Sequence, residues 1–305
     1  MSCQYRERRG DSRGCRFWDA GYCTSDTAKY YRCIDWIAST KLEKIIVSHS
    51  QITSWERCPF KWYLEQIEGL QMVDQLRPLP MRMGSELQRL LSGTGMPEHF
   101  GEREQIHKST VNMMYGIIMQ RELLPHPAEW EVALDKNGMS GFVDLVFDEG
   151  RSLGEIKFGA SPDFYLNNPI AKNQLERYCY MNQSFQRSYM LPIRNPMLRD
   201  KMDEEIEGKI ARTQADILRR MNHYFPQYEP TQTPPKWGRA YRANEFDLVA
   251  FKHKLDWIKR EIQMSCKEGY FVQKTANCFS PGKCSFISIY ETGNINWNLF
   301  ERRTR

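Results

Sequence analysis

The stretch GFVDLVFDEGRSLGEIKFG, residues 141–159, decides how the chain is read. It consists of two short apolar runs joined by Asp148-Glu149-Gly150-Arg151, a polar turn carrying glycine. Each run also carries charge where a buried strand tolerates little: Asp144 on the first, Glu155 and Lys157 on the second. Burying a charge costs several kcal/mol unless it is paired or bound to a metal. On a strand, residues two apart share a face, so Glu155 and Lys157 project together and Ile156 points away. A hairpin folded at Gly150 brings Asp144 beside them. Two carboxylates and an ammonium then converge, an arrangement suited to Mg²⁺ or Mn²⁺ and a phosphate.

Outward from the hairpin, elements of both kinds are expected. Ser50 is placed as the cap of a helix carrying Ile52, Trp55, Tyr63 and Ile67, with Pro59 either kinking it or starting a second. Helices follow at Met83 to Leu91 and about Arg103 to Leu123, ended by Pro125 and Pro127. Strands are expected at Trp130 to Leu134, Gly141 to Phe147 and Ser152 to Phe158. Asn168-Pro169 then starts a helix running to about Asn182, and Ser188 to Ile193 reads as a strand. The order helix, three strands, helix, strand describes an α/β core. Beyond it, Met202 to Tyr224 reads as helical and Pro226 to Pro235 as a connector. Asn244 to Lys267 reads as an amphipathic helix with Phe246, Val249, Leu255, Ile258 and Ile262 inward.

In the helix from Pro169, Gln174 and Tyr178 lie four apart and share a face. The aromatics Trp55, Trp62 and Tyr63 follow helical spacing and are assigned to the core. Trp237 and Tyr241, beside Lys236, Arg239 and Arg242, are the better candidates for a DNA-facing patch, against the plainer reading of a surface loop. Glu131 is a candidate extra ligand, against the plainer reading of a strand-end carboxylate.

A content of 41% hydrophobic and 12% aromatic residues argues against disorder, and a net charge of +5 permits a polyanionic partner without demanding one. No run of about 18 apolar residues offers a membrane span. The charged start MSCQYRERRG lacks the apolar core of a secretion signal, so a cytoplasmic protein, prokaryotic or phage-encoded, is expected. In that compartment the nine cysteines read as metal ligands or buried thiols. Residues 1–44 form a Cys-rich segment set apart from a domain at 45–305. Cys3, Cys15, Cys23 and Cys33, spaced C-x11-C-x7-C-x9-C, suggest a zinc-stapled module; the alternative is a leader with incidental thiols.

Five stretches together resemble the PD-(D/E)XK nuclease superfamily, in its RecB-like branch that includes the CRISPR-associated exonucleases. They are SHSQITSWERCPFKWYLEQIEGL at 48–70, MGSELQRLL at 83–91, GFVDLVF at 141–147, GEIKFG at 154–159 and QLERY at 174–178. The resemblance implies a restriction-endonuclease-like core, α-β-β-β-α-β, with a mixed sheet flanked by helices and helical additions. It implies a metal-dependent deoxyribonuclease, an exonuclease acting in recombination, repair or phage replication. Asp144, Glu155 and the Ile156 carbonyl would hold Mg²⁺ or Mn²⁺, Lys157 would orient the attacking water, and Gln174 and Tyr178 would hold DNA and the site. Where the family usually has a histidine ligand this chain has Gln88. That departure motivates an alternative: a catalytically weakened nuclease-fold protein that binds nucleic acid or a recombination or repair partner. Some members carry an iron–sulfur cluster on four cysteines. Cys58, Cys278 and Cys284 match three of these positions, and Thr275 stands at the fourth.

Overall fold

The structure, a computed structural model, describes residues 18–19, 22–23, 41–73, 79–93, 104–167, 169–196, 198–199, 201–227, 233–278 and 284–302. In chain order the strands are β1 Trp18–Asp19, β2 Tyr22–Cys23, β3 Val47–Ser48, β4 Leu70–Met72, β5 Ala128–Lys136, β6 Met139–Phe147, β7 Ser152–Gly159, β8 Arg187–Arg194, β9 Arg239–Arg242 and β10 Phe300–Arg302. The helices are α1 His49–Arg57, α2 Pro59–Gln66, α3 Leu79–Ser92, α4 Gln105–Gln120, α5 Pro162–Asn167, α6 Pro169–Met181, α7 Ile206–Arg219, α8 Met221–Tyr224, α9 Leu248–Glu268 and α10 Ile287–Thr292. The chain divides into two compact units, one from residues 1–77, 138–140 and 249–305, the other from 78–137 and 141–248.

The second unit is a mixed α/β structure built on the hairpin. The β6–β7 ladder is antiparallel, pairing Leu145 with Gly154, Val146 with Leu153 and Phe147 with Ser152. Asp148, Glu149 and Gly150 all take positive φ, so the tight reversal falls where the sequence placed it. β7 pairs with β8 in parallel along its whole length, and β8 pairs with β9 antiparallel, which makes the sheet mixed; β5 also pairs with β6.

Helices flank this sheet because their apolar stripes have nowhere else to go. Met83, Leu87 and Leu91 on α3, and Val111, Met114 and Ile118 on α4, recur at helical spacing. They meet Leu145, Phe147, Leu191 and Ile193 from the strands in one buried cluster. Each such side chain contributes about 1.5–3 kcal/mol of burial. Gly84 lets α3 approach β7 closely, since a Cβ there would lie 3.1 Å from Phe158 Cβ.

Trp237 and Tyr241 are 2% and 4% exposed, so neither forms the surface patch or loop their basic neighbours suggested. Trp237 packs against Phe225 at 5.6 Å between ring centroids, while Tyr241 sits on β9. Gly238 between them has φ +89°, and a Cβ there would come 2.2 Å from the Met190 carbonyl oxygen. The backbone contact that only glycine permits draws the segment onto β8. The helix expected from Met202 starts at Ile206, with Met202 exposed.

In the first unit, Val47 and Ser48 pair in parallel with Met139 and Ser140. Ser48, not Ser50, caps α1: its hydroxyl accepts from the Gln51 N–H, and the Gln51 side chain accepts from the Ser48 N–H. Pro59 starts α2 as its first residue. Trp55 and Trp62 are buried edge to face at 5.3 Å, and Tyr63 stacks on Phe271 at 4.7 Å, so these aromatics are core. On α9, Leu255, Ile258 and Ile262 face inward as expected. Val249 does not, being 69% exposed. Leu255, Ile258 and Ile262 lie roughly half a turn round the helix from Val249 at 3.6 residues per turn, so Val249 falls on the opposite face. Among the described residues no helix is long and apolar enough to cross a membrane.

Candidate functional site

Asp144 and Glu155 lie one step beyond the Leu145–Gly154 rung of the β6–β7 ladder. Here side chains take over from the backbone. The Ile156 N–H donates to Asp144 Oδ2 at 2.8 Å, and Gln88 on α3 donates through Nε2 to Asp144 Oδ1 at 2.7 Å. Lys157 Nζ donates to Glu155 Oε1, which also accepts from Gln174 Nε2 on α6 at 2.7 Å. Gln174 Nε2 reaches the Tyr178 hydroxyl at 2.8 Å, and that hydroxyl donates to the Phe142 carbonyl at 2.6 Å. The four-residue spacing of Gln174 and Tyr178 thus ties one face of α6 to the carboxylate and to β6.

Asp144 is 7% exposed and Glu155 2%. Glu155 Oε1 receives two donors, whereas Oε2 is buried with no hydrogen-bond partner. A buried carboxylate oxygen without a donor costs about 1–3 kcal/mol or more, so this one asks for a cation or a ligand proton. The Lys157 side chain keeps 29% exposure, which leaves the ammonium a route to an incoming anion.

Burial, reinforced by the negative charge of Glu155, pushes the Asp144 carboxyl up to about 7; Lys157, the Ile156 N–H and Gln88 pull the other way. Burial works against the Lys157 charge, yet Glu155 and Asp144 hold its pKa above the ordinary lysine value, so the ammonium persists. Burial, with Glu155 nearby, also raises the Tyr178 phenol, which stays protonated and able to donate. The centre at neutral pH is therefore one fixed cation beside two carboxylates, one of them near its titration point.

All six side chains or backbone groups expected at the site, those of Gln88, Asp144, Glu155, Lys157, Gln174 and Tyr178, are joined by these bonds, with Ile156 between them. Sequence reasoning missed the Phe142 carbonyl, which accepts from Tyr178, and Tyr165, whose hydroxyl lies against the Gly159 end of β7. Only a side chain's location in three dimensions reveals either. Glu131 is exposed and lies within β5, Ala128–Lys136, so it is not the strand-end carboxylate of the plainer reading.

Cys58, Cys278 and Cys284 belong to the first unit and are partly exposed thiols. The Cys284 N–H donates to the Cys278 carbonyl at 2.6 Å, and burial, then Cys284 and Cys58, push the Cys278 thiol up. Among the described residues, no group of three His, Cys, Asp or Glu side chains is already gathered as a metal site. Three sulfurs are one donor short of the four that a cubane takes. Cys3, Cys15 and Cys33 lie outside the described residues, as does the side chain of Cys23.

No family model matches the chain, and no curated protein does. Among solved structures, one described as "Crystal structure of SSO0001" is similar at 16% identity and a TM-score of 0.25. The match covers 63% of this chain and 83% of that one.

Proposed function

We propose that the chain is a Mg²⁺- or Mn²⁺-dependent deoxyribonuclease with a restriction-endonuclease-like core, of the RecB-like PD-(D/E)XK branch. The observation that carries the reading is the unpartnered, buried Glu155 Oε2 beside Asp144 and Lys157. A hard cation fits that vacancy in the hydrogen bonding: Asp144, Glu155 and the Ile156 carbonyl supply oxygens, and Gln88 is in reach of the same carboxylate. When bound, the ion supplies Lewis-acid charge to a phosphate oxygen and acidifies water.

The protein's own groups do the rest. Lys157 leaves Glu155 for the phosphate or the attacking water and offsets the charge that develops as the water oxygen adds to phosphorus and the ester oxygen departs. Gln174 keeps Glu155 Oε1 fixed, so Oε2 stays aimed, and Tyr178 anchors Gln174 to β6. DNA is the substrate and partner this chemistry serves. The direct test is incubation of the purified protein with linear single- and double-stranded DNA. Cleavage is expected with Mn²⁺ or Mg²⁺ and none in EDTA; equal cleavage in EDTA rejects the metal role.

One observation favours the weakened-nuclease reading, in which the protein binds DNA or a repair partner without cutting. The Gln88 amide donates to Asp144 Oδ1 and so competes for a carboxylate oxygen that a cation would use. Gln88→His supplies an imidazole ligand in its place. Under this second reading the variant gains Mn²⁺ affinity and cleavage rate by about tenfold or more, the scale on which ligand-shell changes act. A loss of activity in Gln88→His instead marks the glutamine as the native ligand. Titration with Mn²⁺ and single-turnover rates distinguish these outcomes.

A further inference from the structure

Phe142 is 64% exposed although the five residues that follow it on β6 are all buried. A lone exposed ring is ordinary, but this one is held in place. Its carbonyl accepts from Tyr178, Tyr178 is bonded to Gln174, and Gln174 to Glu155. The chain of hydrogen bonds that aims the carboxylate therefore also fixes the backbone under the ring. Asp144 follows two residues on, the spacing at which strand side chains share a side.

The other strand of the hairpin has a counterpart. After β7, α5 carries Phe164, 49% exposed, with Tyr165 edge-on to it at 5.4 Å. Tyr165 lies against the end of β7, its hydroxyl 3.5 Å from where a Cβ on Gly159 would stand, two residues past Lys157. Each strand bearing the charged centre thus has an exposed aromatic next to it in the chain. One ring falls well short of the few hundred Å² of contiguous apolar surface that marks a protein-docking patch. It does match the face of a nucleobase.

We propose that Phe142, on the strand that carries Asp144, is a positioning residue that stacks on a splayed base of the bound strand. The proposal rests on the nuclease reading and names one contact that site makes with its substrate. Bases within a duplex already have both faces covered; only splayed bases can meet a side-chain ring. Base–aromatic stacking measured by alanine substitution corresponds to roughly 5- to 150-fold in affinity per base.

The test uses a short dT oligonucleotide and the same strand with its bases removed, each with Mn²⁺ for cleavage and each for binding by fluorescence anisotropy. Wild type is expected to favour the base-bearing strand about tenfold, in KM and Kd rather than kcat. Phe142→Ala and Phe142→Leu are expected to lose that preference, and Phe142→Trp to keep it. Equal handling of the two strands by wild type overturns the proposal whatever the variants do, and so does a Phe142→Ala defect confined to kcat. Absence of cleavage of either strand counts against the nuclease reading alone. The binding comparison still decides stacking.

Discussion

Lys157→Ala is expected to slow DNA cleavage by about 10²–10³-fold, the scale for removing one preorganised donor from developing charge, while Mn²⁺ affinity holds or tightens. The asymmetry follows from the geometry. Lys157 Nζ is bonded to Glu155 Oε1, whereas the free oxygen is Oε2, so the lysine is no ligand, and its positive charge repels a cation. Asp144→Ala and Glu155→Ala should lose cleavage and Mn²⁺ binding together. Lys157→Arg keeps the charge but replaces a point ammonium with a planar fork, and it should recover only part of the rate. Because Glu155 is 2% exposed, truncating its partner leaves a buried charge and costs about 3–5 kcal/mol of stability. Rates therefore need to be read well below the melting temperature, with metal binding followed by calorimetry in parallel. If Lys157→Ala cuts at the wild-type rate, the role given to the ammonium is wrong.

How far the sequence foretold this site depends on the range of the interactions involved. The hairpin was legible because Asp148 to Arg151 is a local turn signal and the alternation of β7 fixes which side chains share a face. The link from Gln174 to Tyr178 was legible because four residues along a helix is one turn. Pro59 and Pro169 start their helices for reasons confined to one residue.

Failures occur where distant chain decides. Trp237 and Tyr241 sit among basic residues in sequence, yet Gly238 lets their backbone close on Met190 and both rings are covered. Val249 fails for a local reason instead: it lies roughly half a turn round α9 from Leu255, Ile258 and Ile262, so assigning this apolar side chain inward runs against the helical period. Ser48 outcompetes Ser50 as cap because Gln51 can reach back to it, a reciprocal bond that composition alone does not rank. Phe142 gives no sign in an apolar strand that it will be left in solvent.

Asp144→Asn is expected to stabilise the metal-free protein at pH 8 by several kcal/mol, and to remove the ability of Mn²⁺ to stabilise it. The folded carboxyl is pushed up to about 7 from an ordinary 3.8, chiefly by burial and next by Glu155. Between those values the folded chain binds a proton that the unfolded chain has released. Stability attributable to this group is therefore fully present below about pH 4 and is lost as pH rises through about 7, by a few kcal/mol at about 1.4 kcal/mol per unit. Asparagine carries no charge and still offers an oxygen to the Ile156 N–H, so its advantage should be large at pH 8 and nearly gone at pH 4. Mn²⁺ needs the ionised carboxylate. It should raise the wild-type melting temperature at pH 8, by the equivalent of about 2.7 kcal/mol at a hundred times Kd, with apparent affinity falling up to tenfold per unit below pH 7. Thermal melts of both proteins from pH 4 to 8, with and without Mn²⁺, measure all four terms. A variant no more stable than wild type at pH 8, or one that Mn²⁺ stabilises equally, shows that Asp144 is not the strained carboxylate a cation relieves.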